Sequence, residues 1–369
     1  MPTEDALAAQ LAHVMLRDQL RLKRGENVII ETWTHTLSFA AACVVEARRL
    51  GAHPMLLLEE EAAFFRSVQA APSVGTWGRV GTHEWAALSK SHAYVFFPGP
   101  ADRSRFDSLS PAQRQALEAS EPEWFRRADR ARLRGIRSVL GYASESAAER
   151  YGISLSTWRT QLVEASVNAD MAQIGKDAQR ATRLLKTGKT LRVTAPNGTD
   201  FQVRLRGRAP VADDGVVGPD DLKAHRNITW APPGSVAVAI DERSAEGMAI
   251  ANRPSFPNPG RLEGGQWEMH AGHLGSYWYT DGQTTFDSEY HKAGRGKDIV
   301  SYFSIGLNPA QSPGLARVED QEAGAVTLGV GGNTTYGGSN RCDFLSYIVM
   351  GEATVAVDGL PLVDRGKLL

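Results

Sequence analysis

Cysteine is scarce in this chain of 369 residues. Its two cysteines, Cys43 and Cys342, are too few for a disulfide framework or for a cysteine-based metal motif. The first ten residues also lack a basic region followed by an apolar core, which is the pattern of a signal peptide. We therefore expect a protein of the reducing cytoplasm.

The chain has no excess of basic or acidic residues and no long apolar run. The 41 basic and 42 acidic residues give a net charge of -1, with no long run of either sign. This balance argues against a nucleic acid or an anionic membrane surface as partner. No apolar segment approaches the roughly 20 residues that a spanning helix needs. We expect a globular protein that acts on a small molecule, without nucleic-acid or membrane partners.

The order of segments predicts an α/β fold in two domains. Apolar strands and amphipathic helices alternate up to residue 100, which is typical of a parallel α/β sheet. No GxGxxG motif follows the first strand, so a dinucleotide site is not supported. A long helical segment, 157–186, ends at Gly188. Short strand-like pieces follow, among them 283–290, and Asn197–Gly198 is a predicted hairpin turn. The predicted domains are 1–188, a Rossmann-like parallel α/β domain with a helical extension, and 189–369, a β-rich domain that carries the site.

Glycine is concentrated near the end of the β-rich half. Two apolar strands, 325–330 and 344–350, flank a loop that reads GGNTTYGGSNRCD. Glycine is costly in conformational entropy, and a chain keeps it where the backbone turns sharply or approaches something closely. We interpret this loop as the rim of the active or binding site.

Several segments of the second half resemble one family when they are taken together. They are RVTAPNGTDFQVRLRGR, PPGSVAVAIDERSAEGMAI, FSIGLNP, GAVTLGVGG, GGSNR and ATVAVDG. In this order and spacing they resemble the aminopeptidase T family of metallo-aminopeptidases and relatives such as the 2,5-dihydroxypyridine dioxygenases. The resemblance covers about residues 130–369. It implies a two-domain subunit, a homodimer, and a metal site of carboxylates and histidines in the C-terminal domain.

The chain departs from that ligand pattern. The resemblance places the ligand positions on these residues: Ser235, Tyr302, Thr327, Leu345 and Tyr347. No histidine follows His291, so a closing His-x-Asp pair is absent. Because a divalent metal needs several converging N or O donors, we expect no metal at this site and no cofactor. A relocated metal on His270, His273 and His291 is the alternative. The competing interpretation makes Asp281–Gly282 a hairpin turn, with these histidines on separate strands.

A metal-free hydrolase needs a base for water and oriented donors for the developing negative charge. The residues assigned to catalysis are His291, Glu246 and Asp343. The residues assigned to substrate binding are Tyr302, Asn308, Asn333, Tyr336, Asn340, Arg341 and Tyr347. A purely structural role is the alternative for His291, Glu246 and Asp343, and a place in the core is the alternative for Tyr302 and Tyr336.

The sequence-based hypothesis is a metal-independent hydrolase of a small aromatic, heterocyclic or amide-type catabolic substrate. Two alternatives stay open. One is a non-haem iron ring-opening dioxygenase, and the other is a non-catalytic small-molecule binding protein. General peptidase activity ranks below all three, because the resemblance places no metal ligand where that mechanism needs one.

Overall fold

The computed structural model describes residues 3–257 and 260–369. The α-helices are α1 Glu4–His13, α2 Leu37–Arg49, α3 Glu61–Ala70, α4 Val74–Trp77, α5 Thr82–Ser89, α6 Pro111–Glu118, α7 Glu121–Arg130, α8 Glu145–Tyr151, α9 Leu155–Val167, α10 Met171–Thr187, α11 Pro219–Lys223 and α12 Gln283–Lys292. The strands are β1 Asn27–Trp33, β2 His53–Glu59, β3 Ala93–Phe96, β4 Arg134–Ser138, β5 Thr190–Thr194, β6 Asp200–Arg204, β7 Val211–Asp213, β8 Ile228–Ala231, β9 Ser235–Ala239, β10 Glu246–Ile250, β11 Gln266–His270, β12 His273–Trp278, β13 Val300–Gly306, β14 Val326–Gly331, β15 Leu345–Met350, β16 Thr354–Val357, β17 Leu360–Asp364 and β18 Lys367–Leu368.

The chain forms two compact units. Unit 1 runs to Val167 and takes in Gly215–Pro232, and unit 2 comprises Asn168–Asp214 and Pro233–Leu369. This division differs from the one predicted at residue 188. The segment predicted as one long helix is two helices, because Asp170 caps α10 by accepting hydrogen bonds from the backbone N–H groups at its start. Helix α10 therefore belongs to unit 2 and not to an extension of the first domain.

Unit 1 is built on a parallel sheet, sheet A, with the strand order β2-β1-β3-β4-β8. Strands β1 to β3 lie where the alternation of strands and helices predicted them. Their apolar runs are explained by burial, since Val28, Ile30, Val95 and Ile136 are at most 1% exposed. The mixed α/β fold class is confirmed.

Unit 2 holds two antiparallel sheets. Sheet B has eight strands in the order β12-β11-β10-β6-β5-β16-β17-β18, and sheet C has five in the order β15-β14-β13-β9-β7. The Asn197–Gly198 turn joins β5 to β6, with Gly198 at a φ of 98° as such a turn requires. One apolar cluster combines side chains of both sheets with one face of α10. The predicted β-rich second half is confirmed.

The segment 283–290 was predicted as strand and is helix α12 instead. The prediction of a hairpin turn at Asp281–Gly282 was also wrong, because Gly282 precedes the helix and the hairpin between β11 and β12 turns at Ala271–Gly272. The physical reason is a spacing of four between Phe286 and Tyr290, whose rings stack with centroids 5.4 Å apart. Within residues 3–257 and 260–369, none of the helices combines the length and the apolar character that crossing a membrane requires.

Candidate functional site

Sheet C has one apolar face and one polar face. On β13, Phe303 and Ile305 belong to the apolar core of unit 2. Because side chains alternate along a strand, Tyr302 and Ser304 point to the opposite face. Ser304 stands directly across from Thr327 of β14, so polar side chains of neighbouring strands meet there.

The register extends this face across four strands. Ser235 of β9 is opposite Gly306, Tyr347 of β15 is opposite Gly329, and Leu345 is opposite Gly331. We call the following set the polar face of sheet C: Ser235, Tyr302, Ser304, Thr327, Leu345 and Tyr347. All five positions that the resemblance matched to metal ligands therefore share one surface.

The residues at those five positions do not fit a divalent cation. They offer hydroxyl groups and one aliphatic side chain, and no carboxylate or imidazole. Leu345 is 40% exposed. The Tyr347 hydroxyl donates to Glu319 Oε1 at 2.6 Å, so its oxygen is engaged with a carboxylate. Among the side chains of residues 3–257 and 260–369, no group of three or more His, Cys, Asp or Glu is arranged to hold a metal.

The Tyr302 ring occupies the centre of the polar face. It stacks on Tyr336 with ring centroids 4.2 Å apart and an angle of 21° between the planes. Gly329 makes this possible, because a Cβ at that position would overlap Tyr302 Cε1. Part of the glycine content of the segment is thus explained by the close approach of an aromatic ring.

Two carboxylates reach this region from a 3₁₀ turn, Glu319–Gln321, that the sequence-based prediction did not single out. Glu319 is fully buried, and its Oε1 also accepts a hydrogen bond from Phe256 N at 2.9 Å. Burial raises the pKa of Glu319, and the hydrogen bond from Tyr347 works against that shift.

Asp320 is the carboxyl group of this region whose pKa lies near neutral pH. Burial raises its pKa to about 7, and repulsion from Glu319 and from Asp213 of β7 acts in the same direction. Arg317 opposes the shift and is too weak to cancel it. A carboxyl group that titrates near neutral pH is suited to act as a general base and then as a general acid.

The three tyrosines around these carboxylates stay neutral. Burial raises the pKa of Tyr336 to about 12 and holds the pKa values of Tyr302 and Tyr347 well above their ordinary value. Nearby Asp320 adds to the shift in all three. They are therefore phenols at neutral pH and serve as hydrogen-bond donors.

Three buried polar atoms in this region have no hydrogen-bond partner among the described residues. They are Ser304 Oγ, Thr327 Oγ1 and Glu319 Oε2. A buried polar atom left without a partner costs roughly 1–3 kcal/mol. Such atoms call for an explanation, and a role in binding a polar ligand is one.

The predicted amides of the glycine-rich loop hold the loop itself. Asn333 is 1% exposed and donates to Ser301 O and to Glu242 Oε1, both at 3.1 Å. Its own oxygen accepts from Asn340 N at 2.9 Å. Asn340 donates in turn to Gly296 O and Gly331 O at 2.7 Å. These contacts fix the backbone of the loop.

Glu242 anchors the same loop and was not predicted. Its Oε2 pairs with Arg208 at 2.8 Å, and its Oε1 accepts from Asn333 and from Ser339 N. Burial raises the pKa of this carboxyl, yet the hydrogen bonds together outweigh burial and bring the pKa down to about 2. Glu242 is therefore an ionised structural carboxylate.

The fully buried Asn308 has a comparable role beside β13. Its Nδ2 donates to Pro233 O and its Oδ1 accepts from Ala310 N, both at 3.0 Å. Arg341, by contrast, is exposed.

The three residues predicted as catalytic are not joined in the described structure. His291 is exposed in the last turn of α12, and Asp343 is exposed just before β15. Glu246 begins β10, where its carboxylate accepts from Ala271 N at 2.7 Å and from His270 Nδ1 at 2.9 Å. The Ala271 hydrogen bond lowers the pKa of Glu246. No hydrogen bond or ion pair links any two of the three among the described residues.

The relocated metal site is not assembled either. His270 ends β11 and His273 begins β12, so they are cross-strand neighbours as the separate-strand interpretation predicted. Each binds a different carboxylate, His270 that of Glu246 and His273 that of Asp298 at 2.7 Å. His291 lies on a helix and takes no part in these pairs.

The missed carboxylates left a weak signal in the sequence. The run VEDQE, 318–322, follows a strand of the site and is dense in acidic residues. The sequence alone does not distinguish this run from an exposed one, since acidic residues are usually solvent-exposed.

Comparison with solved structures identifies the fold. The chain matches 2,5-dihydroxypyridine dioxygenase from Pseudomonas putida KT2440 with a TM-score of 0.63 and 17% identity, over 100% of this chain and 98% of that one. It matches wild-type AmpT from Thermus thermophilus with a TM-score of 0.68 and 16% identity, over 100% of both chains. No protein-family profile and no curated protein matches the sequence. The chain has the aminopeptidase T-like fold, and both of these neighbours are enzymes.

Proposed function

We propose that this chain is a hydrolase of a small aromatic, heterocyclic or amide-type catabolic substrate, with its site on the polar face of sheet C. The observation that supports this most is Asp320, a carboxyl group with a pKa of about 7 beside Glu319 and three neutral phenols. The enzyme-like fold is consistent with the proposal. The base is thus a carboxylate, as one of the sequence-based options had it, but on a different residue.

The proposed reaction needs one water and no further reactant. Ionised Asp320 takes a proton from the water while the oxygen forms a bond to the substrate carbonyl carbon. The carbonyl π electrons move to the oxygen, which becomes an oxyanion. When the oxyanion collapses, the bond to the leaving nitrogen or oxygen breaks, and that atom receives the proton from Asp320. Atoms, electrons and protons balance, and Asp320 returns to its ionised state.

Neutral donors on the polar face are suited to the oxyanion. Ser304 and Thr327 carry hydroxyls that the described residues leave without a partner, and the tyrosines keep their phenolic protons. Donors held in a buried site are effective because they need little reorganisation during the reaction. The half-buried Tyr336 ring, which stacks on Tyr302, offers an aromatic surface for a flat substrate ring.

Hydrolysis of 4-nitrophenyl acetate and 4-nitroacetanilide by paired variants tests the proposal. We expect Asp320→Asn to lower kcat by roughly 10²–10⁴, the usual contribution of a general base. Asp343→Asn is the matched control, because Asp343 is an exposed aspartate just before β15. Full activity in Asp320→Asn, or an equal loss in both variants, would overturn the assignment.

Chelation separates the proposal from its alternative. Activity should survive exhaustive treatment with EDTA, since the residues at the family's ligand positions do not fit a divalent cation. Loss of hydrolysis that zinc or manganese restores would contradict it. Oxygen uptake that depends on added ferrous iron would instead favour a ring-opening dioxygenase. The homodimer and the cytoplasmic location remain predictions.

A further inference from the structure

Unit 1 contains a cavity of about 490 Å³ that the hydrolytic proposal does not use. It lies between one face of sheet A and the helices α5 and α7, which supply Trp85 and Trp124 to its walls. This volume falls within the usual range for small-molecule sites, which are mostly apolar with a few polar groups.

The position of the cavity in the sheet favours ligand binding. Glu31 of β1 is paired with Phe96 of β3, and both line the cavity near the carboxyl ends of their strands. The chain passes to β2 on one side of β1 and to β3 on the other, so the strand order changes direction between β1 and β3. In open parallel sheets, ligands bind at the carboxyl ends of the strands around such a point.

The walls are aromatic, and the chain already places cations on some of these rings. Tyr94 and Trp124 meet edge to face with centroids 5.3 Å apart. The Arg127 guanidinium lies 4.9 Å from the Trp85 ring centre, and Arg137 lies 5.2 Å from that of Phe96. Aromatic faces attract ammonium and guanidinium groups through the ring quadrupole.

The charged groups that line the cavity are mostly acidic. The carboxylates are Glu31, Glu59, Glu84 and Glu121, and the basic groups are Arg137 and His83. Tyr94 OH donates to Glu31 Oε2. Burial raises the pKa of Glu31 to about 7, and repulsion from Glu59 and Glu84 adds to it against the opposing effects of Tyr94 and Arg137. Burial and Glu84 also raise the pKa of Glu59.

We propose that this cavity binds a small organic cation, an amine with an aromatic or apolar body, whose ammonium group pairs with Glu31. The aromatic walls bury the body of such a ligand. Its charge relieves the repulsion among Glu31, Glu59 and Glu84, for which Arg137 alone does not compensate. This inference concerns unit 1 and stands independently of the proposed hydrolase.

Isothermal titration calorimetry with three indoles of similar shape tests the proposal. Tryptamine carries the cation, indole is neutral, and indole-3-propionate carries a negative charge. At pH 8 the folded full-length chain should bind tryptamine at least tenfold more tightly than indole, and indole-3-propionate more weakly still. Equal affinity for tryptamine and indole, or no binding of tryptamine, would overturn the proposal.

Two substitutions locate the ammonium. Glu31→Gln keeps an oxygen that accepts from Tyr94 and should weaken tryptamine binding about tenfold or more, because a charge-assisted hydrogen bond is lost. Glu149→Gln, at an exposed position of helix α8 and outside the cavity lining, should leave the affinity unchanged. If Glu31→Gln does not fold, Glu84→Gln on α5 replaces it, with a smaller loss expected. Identical affinities in cavity and control variants would contradict the assignment.

Proton linkage gives a separate readout. Glu31 is protonated below about pH 7, whereas the tryptamine amine stays charged. Affinity should therefore fall as the pH drops from 8 to 6, and binding at pH 6 should release a proton to the buffer. Affinity that does not change over this range would mean that Glu31 does not meet the cation.

Discussion

The glycine-rich loop and the 3₁₀ turn Glu319–Gln321 both border β13 and β14, but their polar groups differ in how fully they are hydrogen-bonded. In the loop, the side-chain amides of Asn333 and Asn340 donate to backbone carbonyls, and the ionised Glu242 pairs with Arg208. In the turn, Glu319 has one oxygen without a partner among the described residues, and the pKa of Asp320 is raised to about 7. The polar groups of the loop stabilise the fold, and the carboxyl groups of the turn are the ones that we propose to react.

This contrast shows that the type of a polar residue does not by itself distinguish a structural role from a chemical one. A polar side chain whose hydrogen bonds are all satisfied stabilises the fold and has nothing left for a substrate. A carboxyl group that burial and like charges hold away from its ordinary pKa is a better candidate for catalysis. Substitutions in the loop should therefore change stability, and substitutions in the turn should change activity.

The largest effect on stability is expected at the centre of the loop. Asn333→Ala removes one of the donors to Ser301 O and one of the donors to Glu242 Oε1, and it deprives Asn340 N of its acceptor. The free energy of unfolding should fall by roughly 3 kcal/mol, since three hydrogen bonds worth about 1 kcal/mol each are lost. Urea unfolding followed by circular dichroism measures it. Thr334→Ala, at an exposed position of the same loop, should change it by less than about 0.5 kcal/mol.

A pH-dependent loss is expected for Glu242→Gln. The folded-state pKa of Glu242, about 2, lies below the ordinary value of 4.5, so its contribution is present above pH 4.5 and disappears as the pH falls toward 2. At pH 7 the variant should lose roughly 1–3 kcal/mol, and near pH 2 the two proteins should converge. Urea midpoints measured from pH 2 to 7 supply the comparison, and a constant difference across that range would refute the electrostatic explanation.

The smallest effect on stability, with a distinct effect on catalysis, is expected for Tyr347→Phe. Removing the hydroxyl deprives Glu319 of a donor that lowers its pKa, so Glu319 holds its proton more tightly. Less negative charge then faces Asp320, and the pKa of Asp320 should decrease. The variant should lose only about 1 kcal/mol of stability. Its pH–rate profile should move toward lower pH, while Tyr290→Phe should leave the profile in place.

The sequence predicted best what local patterns determine. The alternation of β1, α2 and β2 could be predicted because the hydrophobic pattern of each element lies within about ten consecutive residues. The hairpin at Asn197–Gly198 was evident because two adjacent residues define the turn. Helix α12 was missed because its apolar positions, Phe286 and Tyr290, are few and follow an Asp-Gly pair.

The site was less predictable for a physical reason. The face of sheet C depends on the pairing of strands that are far apart in the sequence, such as β9 at Ser235–Ala239 and β13 at Val300–Gly306. The motif resemblance located that face, because it matched positions on four of the five strands of sheet C. The burial of Glu319 and the titration of Asp320 come from tertiary packing, and an acidic run in a polar segment carries no sign of either.

The most direct test of the central claim is the titration of the Asp320 carboxyl by carbon-13 NMR, assigned by comparison with Asp320→Asn. The account predicts a titration midpoint at about pH 7, as burial and the neighbouring carboxylates require. A midpoint near pH 4, the ordinary value of an aspartate, would contradict the assignment of Asp320 as the base that activates water.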